Sequence, residues 1–331
     1  MFQYSRCIKS SLQDRQGNFV LCLADGKNQE AVAFHNQVQK ISMWFIETAD
    51  TVDLTSDEGG GYWKVMYLFR KHSDSESKLN DTSTKDMCGK EKYSFVGFVT
   101  MFFFYSPFKK PKSGRLIRIC QALVLPPYQR VGHGKVMMNA VYDMARGKYN
   151  ETLSSGDFDK HHEIVEINIE DPAPAFTALR DRVDYELMKK NNTSSKPWVS
   201  LNLSCTEPVT SDESFFIPLP ESRAIAIGAE AKITPRQVQI ACEMLKLECI
   251  ENEIKRLKSM KESSELLEKT DDLQRKFRLM VKKRLLRMHK EELGTLSQKE
   301  DRKRRLAQLY DETYYHYCLV LGMKSKLSGE S

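Results

Sequence analysis

The residues of this 331-residue chain whose types and spacing suggest chemistry concentrate in one stretch, Leu123-Val-Leu-Pro-Pro-Tyr-Gln129-Arg-Val-Gly132-His-Gly134. An apolar run reads as a buried strand and Pro126-Pro127 ends it. Gln/Arg-x-x-Gly-x-Gly then leads into an amphipathic stripe of Val136, Met137, Ala140, Val141 and Met144, which Gly147 stops. Glycines at 132 and 134 let a backbone approach a bulky ligand. A helix starting there aims N–H groups and the positive end of its dipole at an anion. A pyrophosphate suits that position. A P-loop would need Ser or Thr after Gly134-Lys135, where Val136 stands. A dinucleotide-binding turn would want a third glycine and an acidic residue about twenty positions on, after a second parallel strand; neither is present in that form.

Three carboxylates are the other candidates. Residues 163–170 alternate Val165, Ile167 and Ile169 with Glu166, Asn168 and Glu170, the pattern of a half-buried strand with Glu170 at its C-terminal end on the polar face. Asp171-Pro172 is expected to open the next helix, whose stripe is Phe176, Leu179 and Val183. Taken alone, Glu170 is an ordinary strand glutamate and Asp171 an N-cap. Glu47 follows Met43-Trp44-Phe45-Ile46, which is apolar on every side and expected to be buried all round, so a carboxylate there needs a reason. Cys120, alternating in an apolar strand, reads as a core thiol rather than a nucleophile. The eight cysteines are scattered without a Cys-x-x-Cys pair or clustered histidines, which predicts free thiols and no metal.

These groups need a scaffold. Phe34, Val38, Ile41 and Phe45 mark a helix over 30–49, and residues 62–70, 93–105 and 116–125 read as strands. Polar stretches near 71–92 and 148–162 read as surface insertions, and 191–223, punctuated by Ser, Asn, Thr and Pro, as a linker. Beyond it everything reads as helix, including the capping box Thr234-Pro-Arg-Gln237 and helices near 273–292 and 302–321. The expected fold is a mixed α/β core over 1–190 followed by an all-helical domain over 224–331.

Composition excludes several classes. With 29% charged residues and no long uncharged apolar run, a membrane-spanning protein is excluded, and the start Met1-Phe-Gln-Tyr-Ser-Arg6 is no secretory signal, so an intracellular protein is expected. The net charge of +6 resides in the tail: from Glu221 onward 24 basic residues face 18 acidic ones. Its basic segment, Arg275-Lys-Phe-Arg-Leu-Met-Val-Lys-Lys-Arg-Leu-Leu-Arg287, carries Phe277, Met280, Val281 and Leu285 at helical spacing. A solvated amphipathic helix accounts for it most simply; nucleic-acid contact or nuclear import, with Arg302-Lys-Arg-Arg305, is the sharper alternative.

The Gln/Arg-x-x-Gly-x-Gly loop resembles the signature of the GNAT superfamily of acetyl-CoA-dependent acetyltransferases. Four stretches narrow the resemblance to the type B histone acetyltransferase catalytic subunits: Met43-Trp-Phe-Ile-Glu-Thr-Ala49, Val96-Gly97 with the aromatic run to Tyr105, Gln121 to Gly134, and Glu170-Asp-Pro with Leu179-Arg-Asp-Arg-Val-Asp184. The resemblance implies a GNAT-type mixed central sheet flanked by helices, and direct acetyl transfer to a lysine of free, newly made histone, most of all the histone H4 tail. It implies Glu170 as general base, with Glu47 and Asp171 as further candidates. Acetyl-CoA would lie on the backbone of Leu123, Val124 and Leu125 and on the loop Gln129, Arg130, Val131, Gly132, His133, Gly134 and Lys135, with Arg182 reaching a phosphate. Trp63, Phe104 and Tyr105 would floor the histone tail. A WD-repeat histone chaperone as partner and a place in nucleus and cytoplasm complete the expectation, and the family's further N-terminal domain is expected to be missing. An acetyltransferase for other amines and a non-catalytic acetyl-CoA-binding scaffold are the alternatives.

Overall fold

In the computed structural model, which describes residues 6–14, 17–47, 49–72, 92–148, 163–192, 213–259 and 264–323, the apolar runs of the first half pair into one sheet. Its six strands, β1 (Arg6–Asp14), β2 (Gly17–Asp25), β3 (Tyr62–Lys71), β4 (Tyr93–Ser106), β5 (Gly114–Val124) and β6 (Ile164–Ile169), lie side by side in chain order. Neighbours are antiparallel except β5 and β6, which are parallel and therefore need a crossover. Helix α2 (His133–Ala145) lies in that crossover. Helix α1 (Gln29–Phe45), N-capped by Asn28, covers one face, packing Ala31 and Val38 on Cys22, Val65, Tyr67, Phe98 and Leu123. On the opposite face the His133 ring of α2 meets Phe19 at 4.3 Å. Strand β4 passes so near β5 that a Cβ on Gly97 would lie 2.2 Å from the Leu123 carbonyl oxygen, which leaves room for glycine alone.

One expectation fails at the end of this first helix. The end of α1 is not buried all round: Met43, Trp44 and Phe45 are 55%, 85% and 49% exposed. The stripe that faces the sheet runs Ala31, His35, Val38, Gln39, Ser42 and stops there, so the apolar last turn meets no sheet.

The chain divides into two compact units, 1–172 and 173–331. Among the described residues the second is helical throughout: α3 (Pro174–Asn192), α4 (Glu221–Ala231), α5 (Pro235–Lys258), α6 (Ser264–Met288), α7 (Lys290–Thr295) and α8 (Lys299–Leu321). Sequence order groups residues 174–190 with the sheet; α3 instead packs with α5 and α8. It also starts at Pro174, two residues beyond Pro172, so Asp171 is not its N-cap. The inferred loops and most of the linker, at 73–91, 149–162 and 193–212, lie outside the described residues.

Within the helical unit Thr234 caps α5 as its sequence predicts, accepting from the Gln237 N–H at 3.2 Å. The Gln237 side chain does not complete the capping box; it donates to Asp181 at 2.8 Å and Asp184 at 3.0 Å, both buried on α3. Deeper still, Arg284 of α6 pairs with Glu243 of α5 at 2.8 Å, and Tyr317 of α8 donates to the same carboxylate at 2.8 Å. Burial works against the charge on Arg284, but Tyr317 and Glu243 outweigh it and hold the guanidinium above its usual range. Cys120, Cys242 and Cys318 are free thiols, whereas Cys249 is disulfide-bonded, against the expectation that all eight are free.

Removing one member of the buried triad strands its partner. Arg284→Met leaves Glu243 buried without its cation and should destabilise the protein by about 3–5 kcal/mol, while Tyr317→Phe, which keeps the ion pair, should cost about 1–3 kcal/mol. Chemical denaturation of both variants checks the ranking.

Candidate active site

The site begins where the parallel pairing ends. β5 and β6 run in register through Leu116↔Glu166, Ile117↔Ile167, Arg118↔Asn168 and Ile119↔Ile169, and the last bond is Glu170 N–H to the Ile119 oxygen at 3.0 Å. On the other side of β5 the register with β4 passes from Met101↔Ile119 to Thr100↔Gln121, so Cys120 is the extra residue of a β-bulge. Beyond the bulge, among the described strands, β5 is held by β4 alone. Leu125 donates to the Val96 oxygen at 2.9 Å, and alternation turns the backbone groups of Val124 to the open edge, where its oxygen accepts from Gln129 Nε2 at 2.8 Å. An amide-bearing, extended ligand could pair with that edge as an added strand. Of the three residues expected to line a cofactor, Val124 faces the opening; Leu123 is buried in the α1 core and Leu125 bonds β4.

The loop at 126–132 turns this edge into a helix start. Arg130 (φ 67°) and Gly132 (φ 102°) both adopt left-handed backbone. Gly132 is the N-cap of α2 and brings no side chain to its first-turn N–H groups; a Cβ there would meet nothing within 4 Å. Open space, backbone donors and the helix dipole fit a pyrophosphate. Arg130 and Val131 are exposed, Gly134 and Lys135 partly buried, and the His133 side chain is core.

The α1 face of the sheet continues past α1 as a polar and aromatic floor. Register puts Trp63 beside Phe102 and Phe102 beside Arg118, with the Trp63 and Phe102 rings at 4.9 Å and Phe102 stacked on Phe104 at 5.8 Å. The Arg118 guanidinium lies 5.0 Å over the Phe104 ring and 4.0 Å from Glu170 Oε1. Glu166, Asn168 and Glu170 share this face, as the alternation of the sequence predicts, with Glu166 buried and bound to Lys109 at 2.5 Å. Tyr105, one residue beyond Phe104, points to the opposite face, so Trp63 and Phe104 come together through Phe102 and Tyr105 does not join them. Phe102 is the member of the floor that the sequence reading misses, and the period-two alternation of the run Phe102 to Tyr105 is the signal that could have found it.

Glu170 is half exposed. The Cys120 thiol donates to the Arg118 oxygen at 3.7 Å; burial first, then the neighbouring Glu170 carboxylate, pushes that thiol up to about 12, so it stays protonated at neutral pH. Glu47 is exposed in the loop after α1. That loop is clipped to the same stretch of β5, the Asp50 oxygen accepting from Gln121 Nε2 at 2.5 Å, so the segments bearing Glu47 and Glu170 approach β5 on either side of its bulge. Asp171 is exposed with left-handed backbone (φ 33°). Arg182 belongs to the helical unit, donating to Glu186 at 2.8 Å and to the Val320 oxygen in the last turn of α8 at 2.9 Å. Among the described residues no group of three or more His, Cys, Asp or Glu is placed to hold a metal, and no helix is long and apolar enough to cross a membrane.

No protein-family model matches the chain. It is homologous to several proteins named histone acetyltransferase type B catalytic subunit: 27% identical to one from Cryptococcus neoformans over 88% of this chain and 56% of that one, 25% to one from Schizosaccharomyces pombe over 91% and 62%, and 24% to one from Rattus norvegicus over 65% and 39%. The chain thus spans little more than half the length of the first of these curated relatives. Among solved structures, a tetramutant of the BH1408 protein from Bacillus halodurans matches at 13% identity over 48% of this chain and 87% of that one, with a TM-score of 0.25.

Gly132→Val tests the loop. A β-branched side chain is strained at φ 102° and projects into the open space before α2. Coenzyme A affinity by calorimetry should fall by at least about tenfold, equivalent to roughly 1.4 kcal/mol, with the melting temperature little changed. Unaltered affinity would remove the loop from the site.

Proposed function

We propose that this chain is a lysine acetyltransferase of the type B histone acetyltransferase kind, moving acetyl from acetyl-CoA directly to free, newly made histone, with the histone H4 tail as substrate. The observation that carries the reading is the coincidence of three features at one point of β5: the bulge at Cys120, the end of the β6 pairing, and the carboxylate of Glu170. The homologues' names support the acyltransferase class and a histone substrate.

The chemistry follows from what the residues offer. A lysine ammonium, with a pKa near 10.4, must lose a proton before it can attack. Glu170 takes that proton, with Glu47 or Asp171 as the other candidate acceptors. The amine nitrogen then forms a bond to the thioester carbonyl carbon, the carbon–sulfur bond breaks, and the coenzyme leaves as a thiolate that takes up the proton the acylated nitrogen gives up, leaving the neutral amide and the thiol. Val124 backbone groups and the first turn of α2 hold the co-substrate, and an N–H of the Leu123 to Leu125 segment meets the developing oxyanion. A covalent route through Cys120 is disfavoured by its protonated thiol. The aromatic floor of Trp63, Phe102 and Phe104 receives the apolar stem of the acceptor lysine. The catalytic core is assigned to the first unit, and a WD-repeat histone chaperone and a nuclear and cytoplasmic location belong to the same proposal.

Glu170→Gln keeps size and loses basicity. It should leave acetyl-CoA affinity intact and cut turnover on histone by about 10²- to 10⁴-fold; turnover within about threefold of the parent would remove Glu170 as the base. Glu47→Gln, assayed alongside, shows whether the task is shared. Replacing Phe102 and Phe104 together by alanine should raise the KM for an H4-tail peptide and leave that for acetyl-CoA unchanged. A purely structural role would instead lower the melting temperature and impair both substrates equally.

A further inference from the structure

Arg118 has no part in the chemistry just described, yet it lies in the middle of the floor. Its guanidinium carbon is 5.0 Å from the Phe104 ring centroid and its Nη1 is 4.0 Å from Glu170 Oε1, with the side chain 42% exposed. An aromatic face together with a carboxylate is what recognises an alkylammonium group. A protonated lysine arriving at Glu170 would need the same two partners. Among the described residues Arg118 is held by little else: its pairings are an exposed cation–π contact and a long, exposed ion pair, each weak enough for exchange. By contrast Arg115, three residues earlier on β5, lies over the Tyr62 ring at 5.3 Å, a ring stacked on Phe103, whose alternation with Phe104 puts it on the opposite face of the sheet.

We propose that Arg118 is an internal stand-in for the substrate: in the free protein it fills the acceptor-lysine subsite formed by Phe104 and Glu170, and an incoming lysine ammonium displaces it. This makes Arg118 a specificity-determining residue that raises the threshold for weakly bound amines. It rests on the assignment of Glu170 to the acceptor subsite.

The test is binding, which is separable from turnover. The probe is a short peptide carrying one lysine and no other charge, with a norleucine twin, titrated calorimetrically into the coenzyme A-bound protein. Arg118→Met should tighten the lysine peptide by about fivefold, the worth of the two weak contacts relinquished, and leave the norleucine twin unchanged. Arg115→Met removes the same charge from the opposite face and should give no gain. An unchanged or weaker lysine affinity in Arg118→Met, an equal gain for norleucine, or an equal gain in Arg115→Met would each overturn the proposal. Turnover of Glu170→Gln reports on the base separately: full activity there defeats the acid–base assignment without touching the displacement result, and a null Arg118→Met result leaves that assignment standing.

Discussion

The parallel pairing of β5 with β6, and the point at which it stops, is the constraint on which the rest of the first unit depends. Five residue pairs and one final amide bond hold the two strands together, and the bulge at Cys120 ends the match just where β6 ends. Had the pairing continued, the backbone groups of Val124 would be spent within the sheet and Glu170 would be an ordinary ladder residue. Because it stops, one edge of β5 has no neighbouring strand among the described residues, while the opposite edge stays locked to β4 by the close approach at Gly97.

Parallel pairing also dictates the crossover, and the crossover supplies the helix N-terminus proposed to receive the pyrophosphate. A chain leaving the end of β5 must return to start β6 at the other end of the sheet, and α2 lies on that path. Its N-terminus therefore falls next to the open edge, so one topological requirement places both the backbone edge and the dipole of the helix. The left-handed residues Arg130 and Gly132 are where the chain makes the turn that allows it.

The helical unit depends on a different principle. Its long helices converge on polar groups as well as apolar ones: Glu243, Arg284 and Tyr317 form one buried set, Asp181, Asp184 and Gln237 another, with His316 Nε2 donating to the Asp181 carboxylate at 2.8 Å. Asp181 is held below its ordinary range: burial raises it, and the hydrogen bond to His316 with the charge of Arg180 and the Gln237 amide overcome that. Each unsatisfied member of such a set is costly, so sliding one helix along its axis would strand these groups without partners.

Local pattern is enough for much of this. The Gly132-x-Gly134 loop after an apolar strand, the alternation that puts Glu166 and Glu170 on one face, and the capping of α5 by Thr234 are all properties of short segments, and short-range sterics and hydrogen bonding decide them. The strand β2 is legible too, in the alternation of Phe19, Leu21 and Leu23 with Val20, Cys22 and Ala24, though its apolar content on both faces hides it from a search for half-buried strands. Tertiary structure alone decided the rest. Whether the apolar end of α1 is covered depends on how far the sheet extends beneath it; whether α3 joins the sheet or the helices depends on Asp181 and Asp184 finding Gln237, fifty-six and fifty-three residues away. Where Arg118 comes to rest, between Phe104 and Glu170, depends on the register of three strands at once, and register is a property of the sheet that no single segment contains.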